Sequence, residues 1–218
     1  MKTLIFSLIL VLGFSACSSD EEQVKRNKGV YMLVDTSGTY TQELKKAQQI
    51  INYILSQLES GDSFVVASID TGSFSEKDII AKVTFDDRPS KANQQKRVFQ
   101  LSVDEYIKDV KSSPYTDITG GILQATEFLN EKNTGSKTIM IFSDLQQELK
   151  KGYVRDIPLT LDGYKVVALN VTKLRSDNVD PRKYMDRLDE WKKSVEQGGG
   201  EWTVLNDLER LDKLLNGN

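Results

Sequence analysis

Continuous apolar runs recur along the chain: GVYMLVD (29–35), SFVVASID (63–70), KTIMIFSD (137–144), YKVVALNV (164–171) and EWTVLN (201–206). Short runs rich in valine and isoleucine, without polar alternation, are the pattern of strands buried on both faces. A further run, DIIAKVTF (78–85), alternates more and follows the turn-prone TGSFS, which predicts an antiparallel edge strand.

Helical periods separate these runs. In 41–58, Leu44, Ala47, Ile51, Ile54, Leu55 and Leu58 share one face, and SGD ends the segment. In 90–111, Val98, Leu101, Ile107 and Val110 supply a broken stripe after Ser90, which can cap, and the stripe is compatible with one helix or two. Ile122, Ala125, Thr126 and Leu129 repeat at helical spacing in 118–131. In 180–197, Pro181 suits a first turn, Tyr184, Leu188, Trp191 and Val195 form a stripe, and GGG stops the helix. A short last helix is expected over 206–215. Strands alternating with helices imply right-handed crossovers, hence a doubly wound α/β domain with a mostly parallel sheet and one antiparallel edge strand, spanning 29–218.

The N-terminus reads differently. Lys2 precedes an apolar run from Leu4 to Ala16, too short to span a bilayer comfortably, and the only cysteine, Cys17, follows at once. Residues 1–16 are therefore expected to be a secretory signal, and the polar, aperiodic SSDEEQVKRNK (18–28) a solvated tether. Around the cysteine, FSAC resembles the bacterial lipoprotein signal, in which two small residues precede Cys. The resemblance implies that Cys17 becomes the acylated first residue, and Ser18 after it implies the outer membrane of a diderm bacterium. SSDEE also resembles the export tag of surface lipoproteins in the Bacteroidota.

Composition narrows the chemistry. Removing residues 1–16 takes away Lys2 alone, leaving 28 basic against 32 acidic side chains and a formal charge of −4. That balance carries no nucleic-acid footprint. Histidine is absent, which removes the commonest general base and the commonest transition-metal ligand.

In a doubly wound sheet, ligands bind beyond the carboxyl ends of the strands, where the winding reverses. Asp35 ends the first run, Asp144 ends KTIMIFSD, and SPYTDITGGI (113–122) places Thr116 and Asp117 in a loop expected on the same edge. Asp35, Ser37, Thr39, Thr116 and Asp144 make an all-oxygen set, the kind of ligand that Mg²⁺ or Mn²⁺ takes. Tyr40, Asp70 and Tyr115 stand nearby as candidates for the rim, although turn and packing roles account for them more simply. A simpler reading gives each piece a local role: Asp35 and Ser37 capping one helix, Thr116 and Asp117 serving the next, and Asp144 turning the chain.

These residues resemble the von Willebrand factor A domain family, whose metal-ion-dependent adhesion site combines Asp-x-Ser-x-Ser with a distant Thr and a distant Asp. DTSGT matches at Asp35 and Ser37, with Thr39 for the second Ser. YTDITGGI is similar to the Thr loop, and IMIFSDLQ to the strand ending in Asp-Gly, with Leu145 in place of Gly. The resemblance implies that Ser37, Thr39 and Thr116 contact the metal directly, that Asp35 and Asp144 act partly through water, and that a partner's Asp or Glu completes the shell. It implies a tethered binding module and not an enzyme. DTSGT also resembles the haloacid-dehalogenase motif Asp-x-Asp-x-Thr, but Ser37 stands where the acid/base belongs. A metal-free envelope scaffold is the third reading.

Overall fold

The computed structural model describes residues 27–69, 75–206, 210, 211 and 213. The expected lipoprotein signal, Cys17, Asp70 and most of the expected last helix lie outside the described residues, as does the side chain of Thr39. Among the described residues, six strands form one sheet: β1 (Lys28–Val34), β2 (Ser63–Ser68), β3 (Ile79–Thr84), β4 (Ser136–Phe142), β5 (Tyr164–Leu169) and β6 (Glu201–Leu205). Their order is β3-β2-β1-β4-β5-β6, parallel throughout except for the antiparallel edge strand β3. This is the expected doubly wound α/β architecture. Winding proceeds one way from β1 and the other way from β4, so the switch point lies between those two strands.

Alternation along β1 explains its continuous hydrophobicity. Val30, Met32 and Val34 join one core cluster, and Tyr31 and Leu33 join the other. The first cluster is covered by α1 (Leu44–Gln57) and α2 (Pro89–Asp109), the second by α3 (Ile118–Lys132) and α4 (Arg182–Gln197). On α1 every residue of the expected stripe is buried, and a 3-10 turn (Gly38–Glu43) leads into the helix. Among the described residues, no helix is long and apolar enough to cross a membrane.

Helix α2 corrects the expected stripe. It is one helix, and it buries Ala92, Phe99 and Val103, with Phe99 stacked on Phe64 at 4.9 Å between centroids. Val98 and Leu101 face solvent at 58% and 66% exposure, whereas Ile107 and Val110 are partly buried against the core. The helix lies over the edge strand and needs only a narrow stripe, so Phe99 and Val103, four residues apart, set its phase.

Candidate metal centre

The site begins one residue beyond β1. The Asp35 amide donates to the Phe142 carbonyl (2.9 Å), extending the β1–β4 pairing past the strand end and setting Asp35 beside Ser143. The Asp35 carboxylate is fully buried. One oxygen accepts the Ser37 amide (2.8 Å) and the other the Ser143 hydroxyl (2.6 Å). Ser143 Oγ in turn accepts the amide of Leu145 (2.9 Å). Glu43, not Asp35 or Ser37, stands at the N-cap of α1, and Ser37, at the N-cap of the 3-10 turn, makes no capping hydrogen bond through its side chain.

Main-chain bonds lace three loops together at this edge. Ser113 donates to the Thr36 carbonyl (2.9 Å) and accepts from the Gly38 amide (3.2 Å). Thr116 and Glu148 exchange both of their backbone bonds, at 2.8 and 2.9 Å. The loop after β1, the loop before α3 and the loop after β4 are thereby held against one another.

Asp117 takes the local role that its position allows. Its carboxylate accepts the Gly120 amide (2.8 Å) as the N-cap of α3 and pairs with Arg155 (2.6 Å). The two glycines that follow are required by close approach. A Cβ on Gly120 would meet the Asp117 carboxylate at 2.5 Å, and one on Gly121 would meet Ile69 and Leu33 at 2.8 and 3.0 Å. Thr119 donates from its amide and its hydroxyl to Gln147 Oε1, both at 2.9 Å, fixing the start of α3 to the loop after β4.

A cavity of about 630 Å³ opens among these loops, and Ser37, Thr116 and Asp144 all line it, with Gln146 and Glu148 alongside. Asp35 lies behind the wall, close enough for its charge to act on Asp144. Burial, first, and then the Asp35 charge push the Asp144 carboxyl up to about 6, against the opposing effects of the Gln146 amide and the Arg187 guanidinium. A second carboxylate close enough to act on Asp144, with hydroxyls beside the pair, suits a divalent cation, which would relieve the repulsion. Among the described residues, the Ser37 and Thr116 hydroxyls hydrogen-bond no protein group, so their oxygens are available as ligands. Also among the described residues, no three His, Cys, Asp or Glu side chains gather as a metal cluster. The set here has only two acids and reaches an oxygen shell through hydroxyls.

The remaining expectations divide. Thr39 has its backbone in the 3-10 turn beside Ser37. Tyr40 is a core residue and not a rim residue: it is 3% exposed, and its hydroxyl donates to the Asn170 carbonyl (2.7 Å). Tyr115 is half-buried and does not line the cavity. Sequence reasoning missed Ser143, although the hydroxyl–carboxylate pair "SD" at a strand end beside Asp35 carried a signal. It also missed the buried pair Asp177 and Arg187, for which no local pattern exists. Leu145, which stands where the adhesion motif has Gly, adopts a left-handed conformation with φ +66°.

No family model matches the chain, and no curated protein matches it. Solved structures do. The chain is similar to a von Willebrand factor type A protein from Catenulispora acidiphila, at 12% identity over 87% of this chain, with a TM-score of 0.54. It is similar also to the pilus adhesin SpaC from Lactobacillus rhamnosus GG in an open conformation, at 12% identity over 88% of this chain, with a TM-score of 0.56. It spans 41% and 29% of those two chains, so the likeness is to one part of each. Strand order, the antiparallel edge strand and these similarities agree that the chain has the α/β fold of von Willebrand factor A domains.

Proposed function

We propose that the protein is a binding module that uses a divalent cation, Mg²⁺ or Mn²⁺, to engage an acidic residue of a protein partner in the bacterial cell envelope. The observation that carries this reading is the meeting of Ser37, Thr116 and Asp144 at one cavity with Asp35 directly behind it. Ser37, Thr39 and Thr116 would hold the ion through hydroxyls, and Asp35 and Asp144 would balance its charge. A bound Mg²⁺ supplies a hard positive centre that seeks six oxygens, leaving a position for a carboxylate from outside. The loops' mutual main-chain hydrogen bonds hold the backbones that carry Ser37 and Thr116 against one another before any ion arrives, which lowers the ordering cost of binding. One protein sharing this fold, SpaC, is a pilus adhesin, in keeping with a binding role. Acylation at Cys17 would tether the domain to the outer membrane through the polar segment 18–28.

Calorimetric titration of the chain lacking residues 1–16 with Mg²⁺ and with Mn²⁺ tests the reading. Saturable heat in the wild type that is lost in Asp35→Ala and Thr116→Ala is the expected result. A wild-type chain with neither metal-dependent heat nor metal-dependent stabilisation would sink it. Recovery of an envelope protein on the immobilised domain should then depend on the cation and be abolished by chelator.

A further inference from the structure

The loop bearing Asp144 is held from outside the site. From α4, the Arg187 guanidinium donates through Nε to the Asp144 carbonyl (2.8 Å) and through Nη1 and Nη2 to the Asp177 carboxylate (3.3 and 2.8 Å). Asp177 also accepts the Leu174 amide (2.8 Å), and Leu174 and Ser176 belong to the wall of the candidate cation cavity. One turn along α4, Trp191 Nε1 donates to the Leu145 carbonyl (2.9 Å). A second cavity, of about 640 Å³, is lined by Arg187, Asp177, Leu145 and Trp191 and shares Gln146 and Ser176 with the first. The ion pair therefore joins the loop after β4 to the turn after β5 where the two cavities adjoin.

Both side chains are almost completely enclosed, at 9% and 0% exposure. Enclosing two charges is expensive, and apolar residues of similar volume commonly stabilise a core as well or better. What this pair supplies in addition is direction. Only a planar guanidinium presents donors to three acceptors at fixed angles; a lysine ammonium is a point charge on a flexible stem.

We infer that Arg187 is a positioning residue for the cation site, locked by Asp177, and that it sets where Asp144 stands relative to Ser37 and Thr116. The inference rests on the cation reading above. Residues that orient a metal's ligands without touching the ion change affinity by about 10–100-fold when altered. Arg187 would act in this way through the main chain of Asp144.

The test measures Mn²⁺ binding by calorimetry, and thermal unfolding in EDTA, for the wild type, Arg187→Lys, and the double variant Arg187→Met with Asp177→Asn. The double variant removes the pair without leaving a buried charge alone. The expected result is a loss of Mn²⁺ affinity of about 10–100-fold in both variants, with the EDTA unfolding midpoint of the double variant close to wild type. Wild-type affinity in folded variants overturns the inference. So does loss of the fold in EDTA in both, since that makes the pair purely structural. A wild-type chain that takes up no Mn²⁺ overturns the cation reading itself and the inference with it.

Discussion

Asp35 and Ser143 occupy adjoining ends of the two central strands and share a 2.6 Å hydrogen bond, with both residues fully buried. The parallel register that pairs Val34 with Phe142 makes this meeting unavoidable, because each residue is the next one along its strand. The serine then passes the constraint on by accepting the Leu145 amide. One hydroxyl thus connects the carboxylate behind the site to the loop carrying Asp144.

Ser143→Ala should therefore destabilise the metal-free protein. A hydrogen bond to a charged group contributes about 1.5–3 kcal/mol, and its loss here leaves a carboxylate oxygen buried without that donor. Urea unfolding in EDTA measures the difference. A variant as stable as the wild type would show that the bond contributes nothing to the fold.

Leu145→Gly sets two effects against each other. A left-handed backbone costs a residue with a Cβ about 1–2 kcal/mol, which glycine would relieve. Leu145, however, is 1% exposed within the core cluster that includes Ile118 and Val171, and deleting such a side chain costs about 2–5 kcal/mol. Lost packing outweighs the relieved strain, so the substitution should destabilise by roughly 1–3 kcal/mol in urea unfolding even though glycine suits the dihedral angles. The same balance explains why this chain keeps a leucine there. Its amide and carbonyl bonds to Ser143 and Trp191 hold the strained residue in place.

Much of this was legible in the residues. Strands buried on both faces announce themselves as apolar runs, and the carboxylates at the ends of β1 and β4 had to converge once those strands were neighbours at the switch point. Thr116 followed from its place before a helix. What stayed hidden depends on partners distant in sequence. Arg187 sits in a helix crowded with exposed charges, and only folding reveals that it meets Asp177 and the Asp144 carbonyl. The phase of α2 was obscured for a related reason: an edge helix has apolar residues to spare, and Val98 and Leu101 weigh as much in a periodicity as the buried Phe99 and Val103.

The phase of α2 is itself testable. Val98→Asp and Leu101→Glu, on the solvent side, should each change stability by less than about 0.5 kcal/mol. Phe99→Ala removes a ring stacked on Phe64 and should cost about 3–5 kcal/mol. Chemical denaturation of the three variants distinguishes the phases; the reverse ranking would restore the stripe read from the sequence.

The Asp177–Arg187 pair should make the fold acid-sensitive. Hydrogen bonds from Arg187, chiefly, with help from the Leu174 amide, hold the Asp177 carboxyl below its ordinary value although burial opposes them. In the unfolded chain the same group returns to about 3.9. The folded state then binds its proton less readily than the unfolded state, so the stabilisation is complete above about pH 5 and is lost as pH falls through the unfolded and then the folded value. Between about pH 5 and pH 3 the urea midpoint of the wild type should fall further than that of the variant combining Arg187→Met with Asp177→Asn. Parallel declines would assign the acid sensitivity to other carboxylates.

Thr116→Val separates the fold from the cation most sharply. The residue is 1% exposed, valine matches its shape, and among the described residues the hydroxyl hydrogen-bonds no protein group. Removing a hydroxyl that has no protein partner costs the metal-free protein little, so the variant should unfold in EDTA at or slightly above the wild-type temperature. A ligand that binds only the folded state stabilises it by about 2.7 kcal/mol at a hundredfold excess over its dissociation constant. For a domain of this size that corresponds to an unfolding midpoint raised by roughly 5–10 °C. Wild type should gain that increment on addition of Mg²⁺ and lose it with chelator, whereas Thr116→Val should gain much less at the same concentration. Equal gains in the two proteins would remove Thr116 from the ligand set, and a lower midpoint for the variant in EDTA would mean that the hydroxyl serves the fold after all.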